Sequence, residues 1–121
     1  YAMGKGTDPD MKQAHYWYKK SAEQGKASAQ FNLAILYEEG NGTVIDKVQA
    51  FYWYKKSAEQ GHAKAQQCLG VMYYQGEGIE KNERQAAIWI KRSMDNGHEP
   101  AREIWDDYQL YKYLSTDANV G

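Results

Sequence analysis

A nine-residue segment occurs twice in this chain without a single change. It runs from Trp17 to Gly25 and again from Trp53 to Gly61, 36 residues later, and a looser copy runs from Trp89 to Gly97. A fixed period of this length indicates a repeat protein, because each copy is one supersecondary unit that buries its apolar face only against its neighbours. The chain is therefore expected to be a stack of similar modules.

Each module is predicted to contain two α-helices. The first helix follows a Gly-x-Gly loop and begins at a short polar residue with glutamine three positions later, a capping signal found at Asp10, Asp46 and Asn82. Apolar and small residues then recur at i, i+3, i+4, i+7 and i+8, as they do along one face of a helix. A glycine with left-handed backbone is expected to end each of these helices, at Gly25, Gly61 and Gly97.

The second helix of each module carries leucine and tyrosine at helical spacing. Ala34 and Gly70 occupy equivalent positions in it and are small enough to let two helices approach closely. In the last helix, expected from about Glu99 to Leu114, Trp105 and Asp106 replace the leucine and the small residue. A charge at the position of close approach indicates that no further module packs there, so this helix is predicted to be a C-terminal cap.

The repeat grid divides the chain into unequal parts. Tyr1 falls in register with Tyr37 and Tyr73, so the helix that should precede it is missing. We therefore expect a piece of something longer or, alternatively, a natural start with an atypical first half-repeat. The predicted single domain covers 1–114, divided into a partial repeat 1–25, repeats 26–61 and 62–97, a capping helix 98–114 and then a flexible tail 115–121.

Composition and spacing argue against several functions. With 15 Lys plus Arg against 16 Asp plus Glu, the chain has a net charge of -1 and lacks the basic excess of a nucleic-acid binder. It contains no apolar run long enough to predict insertion into a membrane. His62 and His98 lie one module apart, about 10 Å by helix-packing distances, too far to share a metal ion. Catalytic and phosphate-binding motifs are absent, and Cys68 is interpreted as a buried thiol. We predict a non-enzyme without a cofactor.

The modules resemble the Sel-one-like repeat family, a relative of the tetratricopeptide repeat. The resemblance rests on Ala-x-Ala-Gln-x-x-Leu-(Ala/Gly)-x-x-Tyr-x-x-Gly-x-Gly followed by Trp-Tyr-x-Lys-x-Ala-Glu-Gln-Gly, and it covers about residues 1 to 114. It implies an all-α, right-handed α-solenoid that acts as a scaffold or adaptor for protein partners. It also implies work in bacterial envelope or signalling complexes or in eukaryotic endoplasmic-reticulum quality control, and of these compartments a bacterial periplasm, envelope or cytoplasm is expected. In a cysteine-rich branch of the family a disulfide links the helices of each repeat, whereas this chain has only Cys68.

The same resemblance places the partner site on the second helices, which line a concave groove in such proteins. Carried over position by position, the predicted groove residues are Asn32, Ile35, Glu38, Glu39, Gln67, Val71, Tyr74, Gln75, Glu103 and Asp107, with Cys68 beside them. Apolar anchors among amides suit a peptide-binding surface, although Ile35 and Val71 are equally compatible with burial between adjacent helices. The groove is predicted to be mildly acidic and to favour a basic or neutral peptide.

Two other modes of association remain open. A regulatory or immunity-type subunit would dock its partner through aromatic residues of the convex edge or the cap, at Tyr16, Tyr52, Trp105 and Tyr108. These aromatics are alternatively wedges between modules, and the lysine pairs on the same layer are interpreted as a solvated face. Self-association would instead use the apolar N-terminal end at Tyr1 and Met3.

Overall fold

The computed structural model describes residues 9–114, which form stacked antiparallel helix pairs without a strand. Tyr1, Met3 and the predicted tail 115–121 lie outside the described residues. The expectation of an all-α solenoid built from repeated helix pairs is confirmed. The helices are α1 (Pro9–Glu23), α2 (Ala27–Glu39), α3 (Lys47–Glu59), α4 (Ala63–Gln75), α5 (Glu83–Asp95) and α6 (Pro100–Asp107).

The capping signals position the interior helices as predicted. The Asp46 carboxylate accepts the Gln49 N–H at 3.0 Å ahead of α3, and the Asn82 side chain accepts the Gln85 N–H at 3.0 Å ahead of α5. Helix α1 differs, since it begins at Pro9 and places Asp10 in its first turn. The glycines expected to end the first helices all have left-handed backbone, with φ of 93°, 94° and 89° at Gly25, Gly61 and Gly97.

Counted as α1–α2, α3–α4 and α5–α6, the modules are half a period out of step with the repeats 26–61 and 62–97, and the core lies between the second helix of one module and the first helix of the next. Helix α3 packs more extensively on α2 than on α4, and α5 packs more extensively on α4 than on α6. Small side chains at Ala34 and Ala50 bring the helices close together, and the aromatic rings of Trp53 and Tyr54 fill the space around them. Each module therefore depends on the one before it for its core.

Two buried polar side chains repeat at each boundary between modules. Ser57 Oγ donates to the Ala27 carbonyl at 2.8 Å, and the equivalent Ser93 Oγ donates to the Ala63 carbonyl at 2.7 Å. Both hydroxyls are fully buried, so each would be costly to leave unpaired. These two hydrogen bonds fix the position of one module relative to the next.

The glutamine of the second helix makes the other repeated contact. Gln30 Nε2 donates to the Ala22 carbonyl at 3.1 Å, while Gln30 Oε1 accepts from Gln60 Nε2 at 2.9 Å. In the following module Gln66 repeats both bonds, with the Ala58 carbonyl and with Asn96 Nδ2. One buried amide thus connects three consecutive helices.

The C-terminal end departs from the predicted helix. Helix α6 stops at Asp107, Gln109 adopts a positive φ of 53°, and a short helical turn follows over 111–114. This turn allows Leu110 to fold back, fully buried, into a second cluster with Ile90 and Ala101. The expected single helix from Glu99 to Leu114 is therefore wrong, because burying Leu110 requires the chain to reverse direction.

Candidate protein-interaction surfaces

The predicted groove residues lie on α2, α4 and α6, and the structure divides them by exposure. The side chains of Glu39, Gln75, Glu103 and Asp107 are exposed, and those of Asn32 and Gln67 are half-buried. Three of the four exposed side chains are carboxylates. This layer therefore offers negative charge to a partner, as its sequence predicts, with the amides set deeper.

The three apolar groove candidates are all half-buried and packed. Ile35 lies against the main core, while Val71 and Tyr74 lie against the C-terminal cluster. The Tyr74 ring stacks on Tyr108, with centroids 4.1 Å apart and planes 11° apart. These side chains already stabilise the boundaries between modules, and only their outer faces remain for a partner.

Glu38 belongs to a polar network rather than to an open surface. Its carboxylate accepts a hydrogen bond from the Tyr54 hydroxyl at 2.6 Å and lies 3.6 Å from Lys47 Nζ. Burial, followed by the neighbouring Cys68 and Glu38, raises the pKa of Tyr54 well above its ordinary value. Burial and the charge of Glu38 likewise raise the pKa of Cys68 to about 11. Both groups stay neutral at pH 7, so this thiol is not a poised nucleophile.

Gln67 is the groove residue with unused hydrogen-bonding capacity. Its Oε1 atom is buried and has no hydrogen-bond partner among the described residues. A buried amide oxygen without a donor loses free energy relative to its hydrated state.

The opposite layer, formed by α1, α3 and α5, exposes a ladder of aromatic and basic side chains. Tyr16 is 52% exposed and Tyr52 48%, and each ring lies edge-on to the tryptophan next to it. Lys20 Nζ lies 5.3 Å from the centroid of Tyr16, and Lys56 Nζ lies 5.5 Å from that of Tyr52. Of the two interpretations of Tyr16 and Tyr52, exposure favours an accessible edge over wedges between modules.

Sequence reasoning missed an apolar patch beside this ladder. Val44 is 78% exposed, Ile45 62% and Val48 64%, at the point where the loop after α2 enters α3. A shallow cleft of about 410 Å³ adjoins it, lined by Val48, Tyr52 and Ile79 among others. A comparison of the repeats could have revealed this patch, because the next module has polar residues at the three equivalent positions: Glu80, Lys81 and Arg84.

A third surface lies at the N-terminal end of the stack. Helix α1 and the start of α2 enclose an open cleft of about 520 Å³. Its walls include Ala14, Trp17, Tyr18 and Ser21 from α1, together with Asn32 from α2. Its lining is mostly apolar.

Neither a metal centre nor a membrane span is found in the described part of the chain. Residues 9–114 contain no group of three His, Cys, Asp or Glu side chains arranged to hold a metal ion. None of the helices in that range combines the length and the apolar character needed to cross a bilayer.

Stacked helix pairs with side chains presented on both layers define an α-solenoid of the interaction-scaffold class. A model of the Sel1 repeat matches residues 1–26, 27–62 and 63–98, so this chain belongs to the Sel1 repeat family. Sel1 repeat folds are generally scaffolds for protein–protein interactions and are typically non-catalytic. The family resemblance of the sequence is thereby confirmed.

Solved structures of bacterial proteins share the fold. A Sel1 repeat protein from Oxalobacter formigenes is 44% identical with a TM-score of 0.73, and the match covers 74% of this chain and 36% of that one. The protective antigen c5321 of uropathogenic Escherichia coli, which displays an SLR fold, is 30% identical with a TM-score of 0.76 over 88% of this chain and 26% of its own. Cysteine rich protein B of Helicobacter pylori is 27% identical with a TM-score of 0.71, over 74% and 68% respectively.

This chain thus spans about a third of the first of these proteins and a quarter of the second. A comparison with curated proteins gave no match.

Proposed function

We propose that this chain is an adaptor that binds a segment of another protein along the surface of α2, α4 and α6. The observation that carries the proposal is the combination of half-buried apolar side chains with an unpaired acceptor at Gln67 and a border of exposed carboxylates. Ile35, Val71 and Tyr74 would offer their outer faces to apolar side chains of the segment, and the half-buried Gln67 side chain would turn its amide outward to accept one of its N–H groups.

Charge favours a basic or neutral segment over an acidic one. Glu39, Glu103 and Asp107 are exposed on this layer, and the ion pairs of the described residues do not include them. Exposed charges of this kind act mainly on the rate of association and on the choice of partner, and salt screens them. Capture is therefore expected to weaken as ionic strength rises.

The test reverses charge on this surface without disturbing the core. The groove variant carries Glu39→Lys, Glu103→Lys and Gln75→Lys, all at exposed positions, whereas substitutions at Val71 or Tyr74 would also damage the C-terminal cluster. A matched control carries Glu23→Lys, Glu59→Lys and Gln13→Lys, which make the same charge change at exposed positions of the other layer.

Both variants, once circular dichroism shows that they are folded, are used in cross-linking pull-downs from source-cell lysate. The captured protein is then purified and its affinity measured. We expect a partner that the wild type and the control retain and that the groove variant loses, with at least a tenfold weaker affinity. Loss in the control with retention in the groove variant would reject the groove.

A second candidate is docking through the opposite layer, in the manner of an inhibitory or immunity-type subunit. The exposed Val44, Ile45 and Val48 beside Tyr52 favour it. The cap aromatics Trp105 and Tyr108 are less suited than the sequence suggested, because they are half-buried against the C-terminal cluster.

The two candidates are separated by replacing the patch with the residues of the next module, as Val44→Glu, Ile45→Lys and Val48→Arg. The repeat tolerates these residues at Glu80, Lys81 and Arg84, so the variant is expected to fold. Capture of the partner is expected to survive this change if the groove is the site, and to disappear if the patch is.

A further inference from the structure

The outward side of the layer formed by α1, α3 and α5 carries an excess of positive charge, although the whole chain has a net charge of -1. Equivalent positions of the three helices hold eight basic side chains, all exposed except one that is half-buried: Lys12, Lys19, Lys20, Lys55, Lys56, Arg84, Lys91 and Arg92. The exposed carboxylates of the same sides are Glu23, Glu59 and Asp95, each at the last residue of its helix. Asp10 and Glu80 add two carboxylates at the edge. Basic side chains remain in excess, and we call this surface the basic face.

Much of this positive charge is not neutralised by the chain itself. Within residues 9–114, Lys20, Lys55 and Lys56 form no ion pair, whereas Lys91 pairs with Asp95 at 3.3 Å. The ammonium groups of Lys20 and Lys56 lie over tyrosine rings instead, and an aromatic ring does not cancel a charge. The basic face is therefore expected to attract a negatively charged surface.

The apolar patch lies on this basic face. Val44 and Ile45 are in the loop that leads into α3, and Val48 is in its first turn. Val48, Tyr52 and Lys56 then follow one another at i, i+4 and i+8 along one side of the helix, and all three line the shallow cleft of about 410 Å³. Aliphatic, aromatic and basic side chains thus share one surface.

The repeat architecture does not account for the patch. The next module places Glu80, Lys81 and Arg84 at the three equivalent positions, so the fold does not require aliphatic side chains there. Exposed aliphatic side chains that lie close together lower solubility unless something covers them. A patch that folding does not need, on a face with uncompensated lysines, indicates a ligand that is both apolar and anionic.

We propose that the basic face is a peripheral binding site for the surface of an anionic lipid bilayer. The three aliphatic side chains of the patch enter the headgroup region, the exposed rings of Tyr16 and Tyr52 lie at the interface, and the lysines contact the lipid phosphates and carboxylates. No helix spans the bilayer in this arrangement.

The exposure of the patch favours lipid over an acidic protein. Val44 is 78% exposed, so its side chain projects from the surface and is not the wall of a pocket. A protein partner would have to supply a complementary pocket for it, whereas a bilayer accepts a projecting aliphatic side chain anywhere on its surface. Nucleic acid would use the lysines and leave the patch uncovered.

The proposal goes beyond the groove and does not depend on it. Glu39, Glu103 and Asp107 are exposed on the other layer, so an anionic surface repels that layer and attracts the basic face. A bound chain would keep its groove in water, open to a partner. The patch, which the second candidate function gives to a protein, is here given to lipid.

The test measures cosedimentation of the full chain with vesicles made of equal parts phosphatidylcholine and phosphatidylserine, and with vesicles of phosphatidylcholine alone. The face variant carries Lys20→Gln and Lys56→Gln. Its matched control carries Lys26→Gln and Lys64→Gln, which make the same charge change at exposed positions of the other layer. A patch variant carries Val44→Ser, Ile45→Ser and Val48→Ser, which leave the charge unchanged. Circular dichroism first shows that each variant is folded.

We expect the wild type to bind the mixed vesicles at least tenfold more tightly than the neutral ones, and to be released by salt. The face variant should bind about thirtyfold more weakly, since each lysine near such a surface strengthens binding about fivefold. The patch variant should bind at least tenfold more weakly, because it loses apolar side chains from the interface. The matched control should bind as the wild type does. The groove variant should bind no less tightly than the wild type, so the two proposals fail independently.

Three results would overturn the proposal. The first is no binding of the wild type to mixed vesicles at low ionic strength. The second is a patch variant that binds as tightly as the wild type, which would mean that the lysines adsorb to any anionic surface. The third is an equal loss in the face variant and its matched control, which would make net charge the cause. A protein captured through the patch by a chain that does not bind vesicles would assign the patch to a protein partner.

Discussion

At the scale of single residues, Gly70 shows how closely the helices approach. A Cβ there would lie 2.7 Å from Ile90 Cγ1, 2.8 Å from Ile90 Cδ1 and 3.2 Å from the Ala86 carbonyl oxygen. Ile90 is fully buried and has little room to move. The sequence marked this position as a site of close approach, and the structure confirms it.

We therefore predict that Gly70→Ala lowers the free energy of unfolding by about 1 kcal/mol, although alanine is the better helix former by about that amount. Urea denaturation measures the change, and Ile90→Val in the same chain should recover part of the loss by removing the colliding Cδ1. Ala34→Gly is the reciprocal control and should cost at least about 1 kcal/mol, because it lowers helix propensity and also removes a buried methyl group. A Gly70→Ala protein more stable than wild type would show that the packing relaxes freely.

His62 connects stability to pH. Its Nδ1 accepts the Ala65 N–H at 3.2 Å and so caps α4, while its ring stacks on Phe31 with centroids 4.7 Å apart. Partial burial, then Lys64, then His98 lower the pKa of His62 from its ordinary value of 6.5. Protonation removes the acceptor and is disfavoured in the folded chain.

A lowered folded pKa means that the stabilisation is complete above pH 6.5 and is lost as the pH falls through the folded pKa. We predict a loss of stability between pH 7.5 and pH 5, of about 1 kcal/mol for this cap. Across that range the melting temperature should depend less on pH for His62→Asn, whose amide oxygen is an acceptor that does not titrate. A residual slope is expected from His15 and His98, whose pKa values are also lowered by burial. An unchanged slope in His62→Asn would exclude this cap as the cause.

At the scale of the elements, the end of α6 has the geometry of a glycine-terminated helix without the glycine. The Leu110 N–H donates to the Trp105 carbonyl at 3.0 Å, and Gln109 between them has a φ of 53°. This is the bond of a Schellman motif, in which a left-handed residue follows the helix. A glutamine in that conformation is strained, because its Cβ approaches the neighbouring carbonyl.

Gln109→Gly is accordingly predicted to stabilise the chain by about 0.5 kcal/mol, since the relief of strain exceeds the added entropy of the unfolded state. Arg102→Gly, at an exposed position inside α6, is the control and should destabilise by about 1 kcal/mol. Urea midpoints of the two variants give the comparison. A destabilised Gln109→Gly protein would mean that the positive φ carries no strain.

The same element shows where sequence reasoning stops. Interior helices were predictable because each boundary has its own signal, a capping residue such as Asp46 and a glycine such as Gly61. The end of α6 has neither a capping residue nor a glycine, so no local sequence signal predicts the reversal of the chain at Gln109. No sequence signal marks Leu110 as buried, so helical spacing assigns Val71 and Tyr74 to the groove, whereas both pack against the C-terminal cluster. Helical spacing gives the direction of a side chain, and only the tertiary fold shows what covers it.

At the scale of the whole molecule, stability should vary along the stack. Helix α1 packs chiefly on α2, whereas α3 packs on both α2 and α4. In repeat proteins each module is stabilised by its own contacts and by those with its nearest neighbours, so a helix with one neighbour opens more readily.

The duplicated segment offers an internal comparison, since residues 17–25 and 53–61 are identical and share their intrinsic exchange rates. We predict that backbone amides of the first copy exchange with deuterium at least tenfold faster than those of the second, as measured by NMR. Equal protection in the free chain would indicate a single cooperative unit and contradict this prediction.

Several hydrogen bonds between helices of neighbouring modules join residues at one fixed separation along the chain. Ser57 with Ala27, Ser93 with Ala63 and Tyr113 with Glu83 each join residues thirty positions apart. A gene duplication that copies thirty-six codons in frame reproduces every such pair and adds one new set, wherever in the period it begins. A duplication whose length is not a multiple of thirty-six codons changes this separation for the pairs that span the insertion. An array of this kind can therefore gain or lose length over evolutionary time only in whole modules.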